Sequence, residues 1–355
     1  TKRFYLKPLF YLTCSDMNIN QLIVVLFKKL TLFIVLSASL TLNARAKQAD
    51  IDDKVLRNNA LSVFGVIPEK MPRSDADTPA LIQLGKKLYF ETRLSSNNSQ
   101  SCNSCHNLLN AGQGHDAKVV SVGALGIKGR RNAPSTWNAG FQFAQNWDAR
   151  AENLEQQASE PLLSEHEMAL SSKQEAVDKL STLYSKEFEY AFPDSSPALT
   201  FENITKALAS FQRTLITQDR FDRYLSGDNN ALTVQEKRGL LQFQENSCAS
   251  CHSGRLLGGQ FTMKMGIVNP YPNRDDRGMG EVTNRKDHDY LFKVPSLRNV
   301  ANTAPYFHDG AATTLQEAIH LTGWHQLGKK LSEEEVENIA AFLETLNNEN
   351  TVNFP

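Results

Sequence analysis

The stretch Cys102-Asn103-Ser104-Cys105-His106 places two thiols three positions apart and an imidazole directly after them. The pattern C-x-x-C-H is the signature of c-type haem attachment, in which the thiols bond to the haem vinyl groups and the histidine becomes the proximal iron ligand. The same pattern returns at Cys248-Ala249-Ser250-Cys251-His252. The repetition predicts two covalently bound haems c, with His106 and His252 as the proximal ligands.

Two other chemistries use part of this pattern. A zinc site needs a second ligand pair at a short, regular spacing, but no cysteine stands between Cys105 and Cys248. A thioredoxin-like dithiol has no need of a histidine in the next position. The recurrence of the full five-residue pattern favours haem, with a zinc site, a disulfide or a redox dithiol as the alternatives.

The N-terminal stretch predicts a secretory signal peptide. We interpret residues 1–16 as sequence upstream of a start at Met17. A basic pair at residues 28–29, an apolar run at 30–42 and an A-x-A site at 44–46 follow in the order of a signal peptide. We expect residues 1–46 to be removed, so that the mature chain begins near Lys47. An uncleaved anchor is the alternative, although the apolar run is about a dozen residues, short of the roughly 20 that a spanning helix needs.

The cysteines and the charge limit the setting of the protein. Cys14 lies before the signal, so cleavage would leave four cysteines, all in the two haem motifs. A secreted chain of this kind fits haem attachment outside the cytoplasmic membrane, and we expect a periplasmic protein. The net charge of −1, with 22% charged residues, favours neither a nucleic acid nor an acidic partner, so any docking patch must be local.

Helical periodicity dominates the chain. Thr78 and Pro79 mark a helix start ahead of the first motif, and Thr233 starts a helix that leads to the second. An apolar stripe runs through residues 201–215, and Ser332 with Glu335 forms a capping box near the end. The sequence predicts an all-α fold of two cytochrome c-like haem domains with long irregular loops, at residues 47–227 and 228–355. Residues 118–122 and 261–268 are either short strand pairs or loops.

Three polar stretches between the helices carry a family resemblance. They read G-R-R-N-A-P at 129–134, N-W-D-A-R-A-E at 146–152, and P-S-L-R-N-V at 295–300 running on to P-Y-F-H-D-G at 305–310. With the haem motifs they make the chain resemble the bacterial di-haem cytochrome c peroxidases, the family that includes MauG, over about residues 79–346. The resemblance implies reduction of hydrogen peroxide at the N-terminal haem, with electrons reaching the C-terminal haem from a small periplasmic cytochrome c or cupredoxin. It also allows a homodimer.

The resemblance implies three catalytic residues. Gln157, Pro161, Glu167 and Met168 stand in the order in which the family carries its catalytic glutamate. Reduction of peroxide requires a proton to move between its oxygens, and Glu167 is expected to carry it, with Gln157 beside it. Trp147 is expected to lie between the haems as an electron-transfer bridge. Without the resemblance, Glu167 would be interpreted as a solvated carboxylate and Trp147 as a core aromatic.

A calcium ion is also implied by the resemblance. Its ligands would be the side chain of Asn132 and the backbone carbonyls of Thr303 and Pro305. Taken alone, Asn132 could simply start a turn before Pro134. His308 either hydrogen-bonds a haem propionate or the backbone, or it contacts iron.

Two positions depart from the family pattern. Ala124 stands where a distal histidine is usual, so we expect an open peroxidatic haem; His115 could replace that histidine only if its loop folds differently. Thr322 stands where the second haem usually has a distal methionine. The remaining candidates for that ligand are His325, which we name first, His320, Met265, Met279 and water.

Two further functions remain as alternatives. A MauG-like enzyme would use peroxide to oxidise a protein side chain, with poor turnover of cytochrome c and a stabilised high-valent state. A non-catalytic electron carrier would have two six-coordinate haems and no reaction with peroxide.

Overall fold

The structure is a computed structural model that describes residues 52–109 and 114–349. The predicted signal peptide and Cys14 lie outside these residues. From Asp53 onward the chain forms one compact unit, and the predicted boundary at residue 227 remains a prediction. Within the described ranges no helix combines the length and the apolarity that crossing a membrane requires.

Helices make up most of the regular structure. The α-helices are α1 (Asp53–Val63), α2 (Pro79–Tyr89), α3 (Cys102–Cys105), α4 (Leu154–Leu163), α5 (Lys173–Ala191), α6 (Phe201–Gln212), α7 (Arg220–Leu225), α8 (Val234–Glu245), α9 (Met279–Thr283), α10 (Leu315–Leu327) and α11 (Glu333–Glu344). Short 3₁₀ turns lie at Ser74–Ala76, Thr92–Leu94, Ala139–Phe141, Cys248–Ser250, Lys286–His288 and Val300–Asn302. The long segments between helices are irregular, in agreement with the predicted mostly helical fold.

The helix starts follow their local capping chemistry. The Thr78 hydroxyl accepts a hydrogen bond from the Leu81 N–H at 3.2 Å, which satisfies one of the unpaired donors of the first turn of α2. Capping boxes begin α8 at Thr233 and α11 at Ser332, with a glutamate three residues later in each case. These three predicted starts are confirmed.

Two helix crossings organise the core, and each depends on a glycine. At Gly85 in α2, a Cβ would lie 1.8 Å from the Ala207 carbonyl oxygen of α6. At Gly239 in α8, a Cβ would lie 1.8 Å from the Asn338 carbonyl oxygen of α11. Any larger residue would force these backbones apart. In the sequence, each haem motif therefore lies between the two helices of one close pair.

A small antiparallel sheet is the exception to the helical fold. Strand β1 (Thr262–Lys264) pairs with β2 (Leu291–Lys293), and Thr262 lies opposite Lys293. The strand option for residues 261–268 is thus correct for part of that stretch. Residues 118–122 form no strand, although Val122 makes an isolated bridge to Lys128.

Candidate functional site

The first C-x-x-C-H motif forms the one-turn helix α3. The backbone N–H of His106 donates to the Cys102 carbonyl at 2.9 Å, which keeps His106 within the same turn as the two cysteines. Its Nδ1 lies 2.9 Å from the Pro134 carbonyl oxygen. A carbonyl only accepts, so Nδ1 carries the proton and Nε2 keeps its lone pair for a metal. Burial lowers the pKa of His106 and thus favours the neutral, ligating form.

The second motif repeats this arrangement. The His252 N–H donates to the Cys248 carbonyl at 3.0 Å, and Nδ1 lies 2.9 Å from the Leu257 carbonyl oxygen. Burial again lowers the pKa of the imidazole. Each motif therefore presents two thiols and one imidazole whose Nε2 is free to ligate iron.

The chemistry of the cysteines argues against the alternatives to haem. The four cysteines of the motifs are free and half-buried. Burial raises the pKa of Cys102 to about 12 and that of Cys248 to about 11, whereas redox dithiols lower the thiol pKa. Among residues 52–109 and 114–349, no group of three or more His, Cys, Asp or Glu side chains is arranged to hold a metal ion. Neither a thioredoxin-like centre nor a zinc site fits.

The first motif opens into a cleft of about 980 Å³, part of it open to solvent. The predicted catalytic residues Glu167 and Gln157 line it. The other lining residues that matter here are Tyr89, Cys102, Cys105, His106, Pro161 and Met168. The structure thus brings together the thiols, the proximal histidine and the stretch on which the catalytic glutamate was predicted.

Two backbone hydrogen bonds fix the position of Glu167 in the chain. Its N–H donates to the Ser164 carbonyl at 3.0 Å, and its carbonyl accepts from the Ala124 N–H at 2.7 Å. The side chain is accessible through the mouth of the cleft, yet protein walls surround it. Desolvation raises the pKa of the Glu167 carboxyl, against the opposing charge of Arg150. A carboxyl of this kind is suited to accept and return a proton.

The loop that carries Ala124 packs directly against this glutamate. A Cβ at Gly123 would lie 2.3 Å from the His166 carbonyl oxygen, so the loop has no room to move closer. His115 does not line the first cleft; its Nε2 lies 3.3 Å from Asn132 Oδ1. His106 is the only histidine among the described residues that line this cleft. The chain offers no second imidazole there.

The second motif opens into a larger cleft of about 1840 Å³, also partly open. Several predicted site residues line it: Asn132, Trp147, His252, Thr303, Pro305, His308 and Thr322. Two methionines, Met263 and Met265, line the same cleft. The residues predicted for calcium therefore share a wall with the second haem motif.

His308 is a buried residue of this cleft with an unpaired ring nitrogen. It is 3% exposed and stacks on Phe292 with ring centroids 4.2 Å apart. Its Nε2 is buried without a hydrogen-bond partner in the described part of the chain. Buried polar atoms are seldom left unpaired. A carboxylate-bearing group such as haem fits this cleft, since it would supply the acceptor.

Asn132 and Trp147 are coupled through backbone groups. The Trp147 indole donates from Nε1 to the Asn132 carbonyl at 2.9 Å, and the Asn132 N–H donates to the His308 carbonyl at 2.7 Å. Asn132 Oδ1, the predicted calcium ligand, faces His115 Nε2. The indole lines only the second cleft, whereas its neighbour Asn146 lines both.

His325, the first candidate for the distal ligand of the second haem, lies outside the second cleft. His325 Nδ1 is 2.9 Å from the Asn269 carbonyl oxygen, and the ring packs edge-on against Tyr271. His320 pairs with Glu333 at 3.4 Å. Neither histidine lines the second cleft, and neither does Met279. Of the candidate side chains named from the sequence, Met265 lines this cleft, as does Thr322.

Lys293 is the site residue that sequence reasoning missed. It is 6% exposed and lines both clefts, together with Pro134, Ser135, Gln142 and Asn146. A lysine in a short strand gives no signal of burial. Only the pairing of β2 with β1 places it inside.

Geometry and chemistry thus define a c-type di-haem protein, and comparison with known proteins identifies the family. Residues 79–230 match the family model described as di-haem cytochrome c peroxidase, and residues 237–347 match that of cytochrome c. The chain belongs to the di-haem cytochrome c peroxidase family, which includes MauG. It is an enzyme of the peroxidase type, built of two cytochrome c-like domains that carry two c-type haems.

Three relatives show the range of this family. The chain is 40% identical to cytochrome c551 peroxidase of Pseudomonas aeruginosa, over 82% of this chain and 86% of the relative. It is 32% identical to methylamine utilization protein MauG of Methylorubrum extorquens, over 87% and 89%. A solved structure of a MauG-like protein associated with microbial copper homeostasis matches with a TM-score of 0.70 and 30% identity, over 80% of this chain and 94% of that one.

Proposed function

We propose that this chain reduces hydrogen peroxide to water in a bacterial periplasm, with electrons from a small cytochrome c or a cupredoxin. The observation that carries the proposal is that Glu167 and Gln157 line the cleft of His106, where no second histidine lies among the residues that the structure describes. In an electron carrier, a second protein ligand to the haem would be expected in this cleft. The names of relatives at about 40% identity support the same activity. The homodimer that the resemblance allows can be checked by light scattering.

The two clefts have different roles in this proposal. His106 and His252 hold the haems through Nε2, and the Pro134 and Leu257 carbonyls fix the two ring orientations through Nδ1. When bound, the haems would supply the electrons that the reduction of peroxide consumes. The protein residues position the peroxide, move its proton and exclude other ligands.

Glu167 is the proton carrier. Its carboxylate accepts a proton from one peroxide oxygen and returns it to the other, which then leaves as water. The raised pKa brings the carboxyl closer to neutral pH, where acceptance and return of a proton are both feasible. The Gln157 amide lines the same cleft and can orient the peroxide by hydrogen bonding.

Trp147 is the bridging aromatic. Its ring lines the second cleft, and the adjacent Asn146 lines both clefts. The hydrogen bond from Nε1 to the Asn132 carbonyl fixes the indole plane. An aromatic at this point shortens the gaps that an electron must cross.

Met265 would be the residue that offers its thioether sulfur to the iron of the second haem. Gln326 and Thr322 are four residues apart on α10 and so share a helix face. The Gln326 side chain accepts from the Gly266 N–H at 2.9 Å and donates to the Lys264 carbonyl at 3.2 Å. It thereby fastens both neighbours of Met265 beside the face that carries Thr322. The thioether would raise the reduction potential relative to histidine.

Calcium binds at the wall of the second cleft. Asn132, Thr303 and Pro305 line this wall, and amide and carbonyl oxygens are ligands that calcium prefers. Binding would require Asn132 Oδ1 to turn from His115 toward the ion. Removal of calcium by chelation should lower activity and restore the His115 contact.

A MauG-like reaction is the second candidate. The MauG relatives and the MauG-like solved structure support it. It shares the peroxide step and differs in the reductant, which is then a protein side chain. Turnover with reduced cytochrome c distinguishes the two.

The deciding experiment is steady-state peroxide reduction with reduced cytochrome c by the haem-loaded protein and by Glu167→Gln. We expect the variant to lose about two to four orders of magnitude in turnover, the range of general acid–base catalysis. Glu165→Gln is the matched control, since Glu165 is exposed and does not line the cleft. Equal activity of Glu167→Gln and the parent would contradict the proton role, and absent turnover in the parent would favour the MauG-like reaction.

A further inference from the structure

Lys293 occupies the partition between the two haem clefts. It ends strand β2, and its N–H donates to the Trp147 carbonyl at 2.7 Å. The pairing with Thr262 of β1 fixes it from the other side. The side chain is buried and lines both clefts. A cation is thus fixed where two separate sites meet.

The surroundings of this ammonium lack a matching anion. A lysine ammonium has three N–H donors and no acceptor. In the part of the chain that the structure describes, its hydrogen-bond acceptor is Gln142 Oε1, which is neutral, and no carboxylate lies within ion-pair distance. Asp148 acts only at longer range and already pairs with Arg131 and Arg150. Two donors are therefore left, and a buried charge without an anion is costly.

Two other nitrogen atoms around the second cleft also lack a hydrogen-bond partner. Trp137 Nε1 and His308 Nε2 are buried without partners in the described residues, and both side chains line this cleft. Burial lowers the pKa of Lys293 to about 8, so the ammonium still predominates at neutral pH. The cluster selects an anion with several acceptor oxygens. A c-type haem brings two propionate carboxylates into each cleft.

We propose that Lys293 is a shared counter-cation, whose ammonium donates one hydrogen bond to a haem carboxylate in each cleft. Gln142 holds the third donor and keeps the ammonium on the partition. A fixed positive charge stabilises the reduced haem relative to the oxidised haem, because reduction removes one positive charge from the iron. One lysine would then raise the reduction potentials of both haems. The inference requires that a haem occupies each cleft, but it does not require that the protein reduces peroxide.

The test compares the midpoint potentials of both haems in the parent, Lys293→Met and Lys293→Arg by spectroelectrochemical titration. We expect both potentials to shift downward in Lys293→Met and to stay near the parent values in Lys293→Arg. Lys186→Met is the matched control, because Lys186 is an exposed lysine of α5 that lines neither cleft and should leave both potentials unchanged. A fully loaded Lys293→Met protein in which either potential is unchanged would overturn the shared role.

If Lys293→Met does not incorporate both haems, its potentials cannot be measured, and the number of bound haems becomes the test. The pyridine haemochrome assay then counts haems in Lys293→Gln and Lys293→Arg. Loading that fails in Met and Gln and returns with Arg supports a need for the charge. Failure in all three variants would show that the site needs the shape of lysine, and would overturn the proposal.

Discussion

The two haem clefts contain the same C-x-x-C-H motif but differ in the other side chains that line them. In both, a backbone carbonyl binds Nδ1 of the proximal histidine at 2.9 Å. The first cleft then presents Glu167 and Gln157, which are polar and can exchange protons or hydrogen bonds. The second presents Met263 and Met265 with aromatic and aliphatic neighbours.

This difference separates two tasks that one haem performs poorly together. A haem that reacts with a small substrate needs an open side with a proton carrier. A haem that only passes electrons benefits from a full ligand set and an apolar wall, which limit rearrangement on reduction. Under the proposed function, identical attachment chemistry with different cleft walls would serve both tasks in one chain.

The largest expected effect is the loss of haem attachment at one cleft while the other cleft stays loaded. Cys105→Ala should weaken haem attachment in the first cleft alone, and Cys251→Ala in the second alone, because each thiol makes one of the two covalent bonds at its own site. The pyridine haemochrome assay should fall from two haems per chain toward one in each variant. Intact protein mass gives the same count independently. Loss of both haems in either variant would show that the sites mature together.

The pH dependence of turnover tests the first cleft. Glu167 acts as a base only when ionised, and its raised pKa means that the ionised form is lost as pH falls through a value above the ordinary 4.3 or so. Activity should therefore fall about tenfold per pH unit below that point. The acid limb should vanish in Glu167→Gln and persist in Glu165→Gln. An acid limb at the ordinary carboxyl pKa would contradict the desolvation of this group.

A contact between the two halves of the chain can be weakened at a buried ion pair. Arg131 donates from Nε and Nη2 to Asp276 at 2.6 and 2.8 Å. Asp276→Asn should cost about 3 kcal/mol in the free energy of unfolding at neutral pH, the lower end for a broken buried pair, since Arg131 keeps Asp148. Urea unfolding followed by circular dichroism measures this cost. Asp287→Asn, in an exposed pair with Arg285, is the control and should leave stability unchanged.

The same variant carries a pH signature. Burial alone would raise the pKa of Asp276, but the hydrogen bonds and charge of Arg131 outweigh it and lower the pKa. The stabilisation is thus fully present above the unfolded pKa of about 3.9 and is lost as pH falls through the folded value. The difference between parent and Asp276→Asn should shrink below about pH 4. A difference that is constant down to acid pH would mean that the charge is not its source.

The smallest effect is spectroscopic and concerns the second cleft. Met265→Leu should remove the low-spin signal of a methionine-ligated haem, while His325→Ala should leave it in place because that ring binds the Asn269 carbonyl. Electron paramagnetic resonance and near-infrared magnetic circular dichroism of the ferric protein make the comparison. Met279→Leu is the matched control, since Met279 does not line the cleft. Loss of the signal in His325→Ala would restore the sequence-based assignment.

Sequence alone predicts the parts of this molecule that local chemistry determines. The caps at Thr78, Thr233 and Ser332 satisfy nearby N–H groups, so their residue types mark the helix starts directly. The haem motifs are equally local, since five adjacent residues carry the attachment. Glu167 and Gln157 were predicted only through the family resemblance. The structure places them on the cleft of His106, while their catalytic roles remain predictions.

The rest depends on contacts between distant segments. His325 was chosen because it lies on the same segment as Thr322, but the Asn269 carbonyl binds its ring. Gln326, on that segment, binds the Gly266 N–H next to Met265, a contact between residues 60 apart in the chain. Lys293 becomes an internal cation through strand pairing and through Gln142, from the other half of the molecule. Such contacts leave no mark on the local pattern.

The two glycine crossings have a consequence for where this chain can change. In each half, a glycine helix before the haem motif meets the backbone oxygen of a helix after it, and the Cβ of a phenylalanine one turn further on, Phe211 or Phe342, completes the contact. A side chain at either glycine would push the two backbones apart, so these positions tolerate no other residue without a shift of the helices. The segments between the paired helices take no part in these two contacts. Those segments hold Glu167 in the first half and Met263 and Met265 in the second.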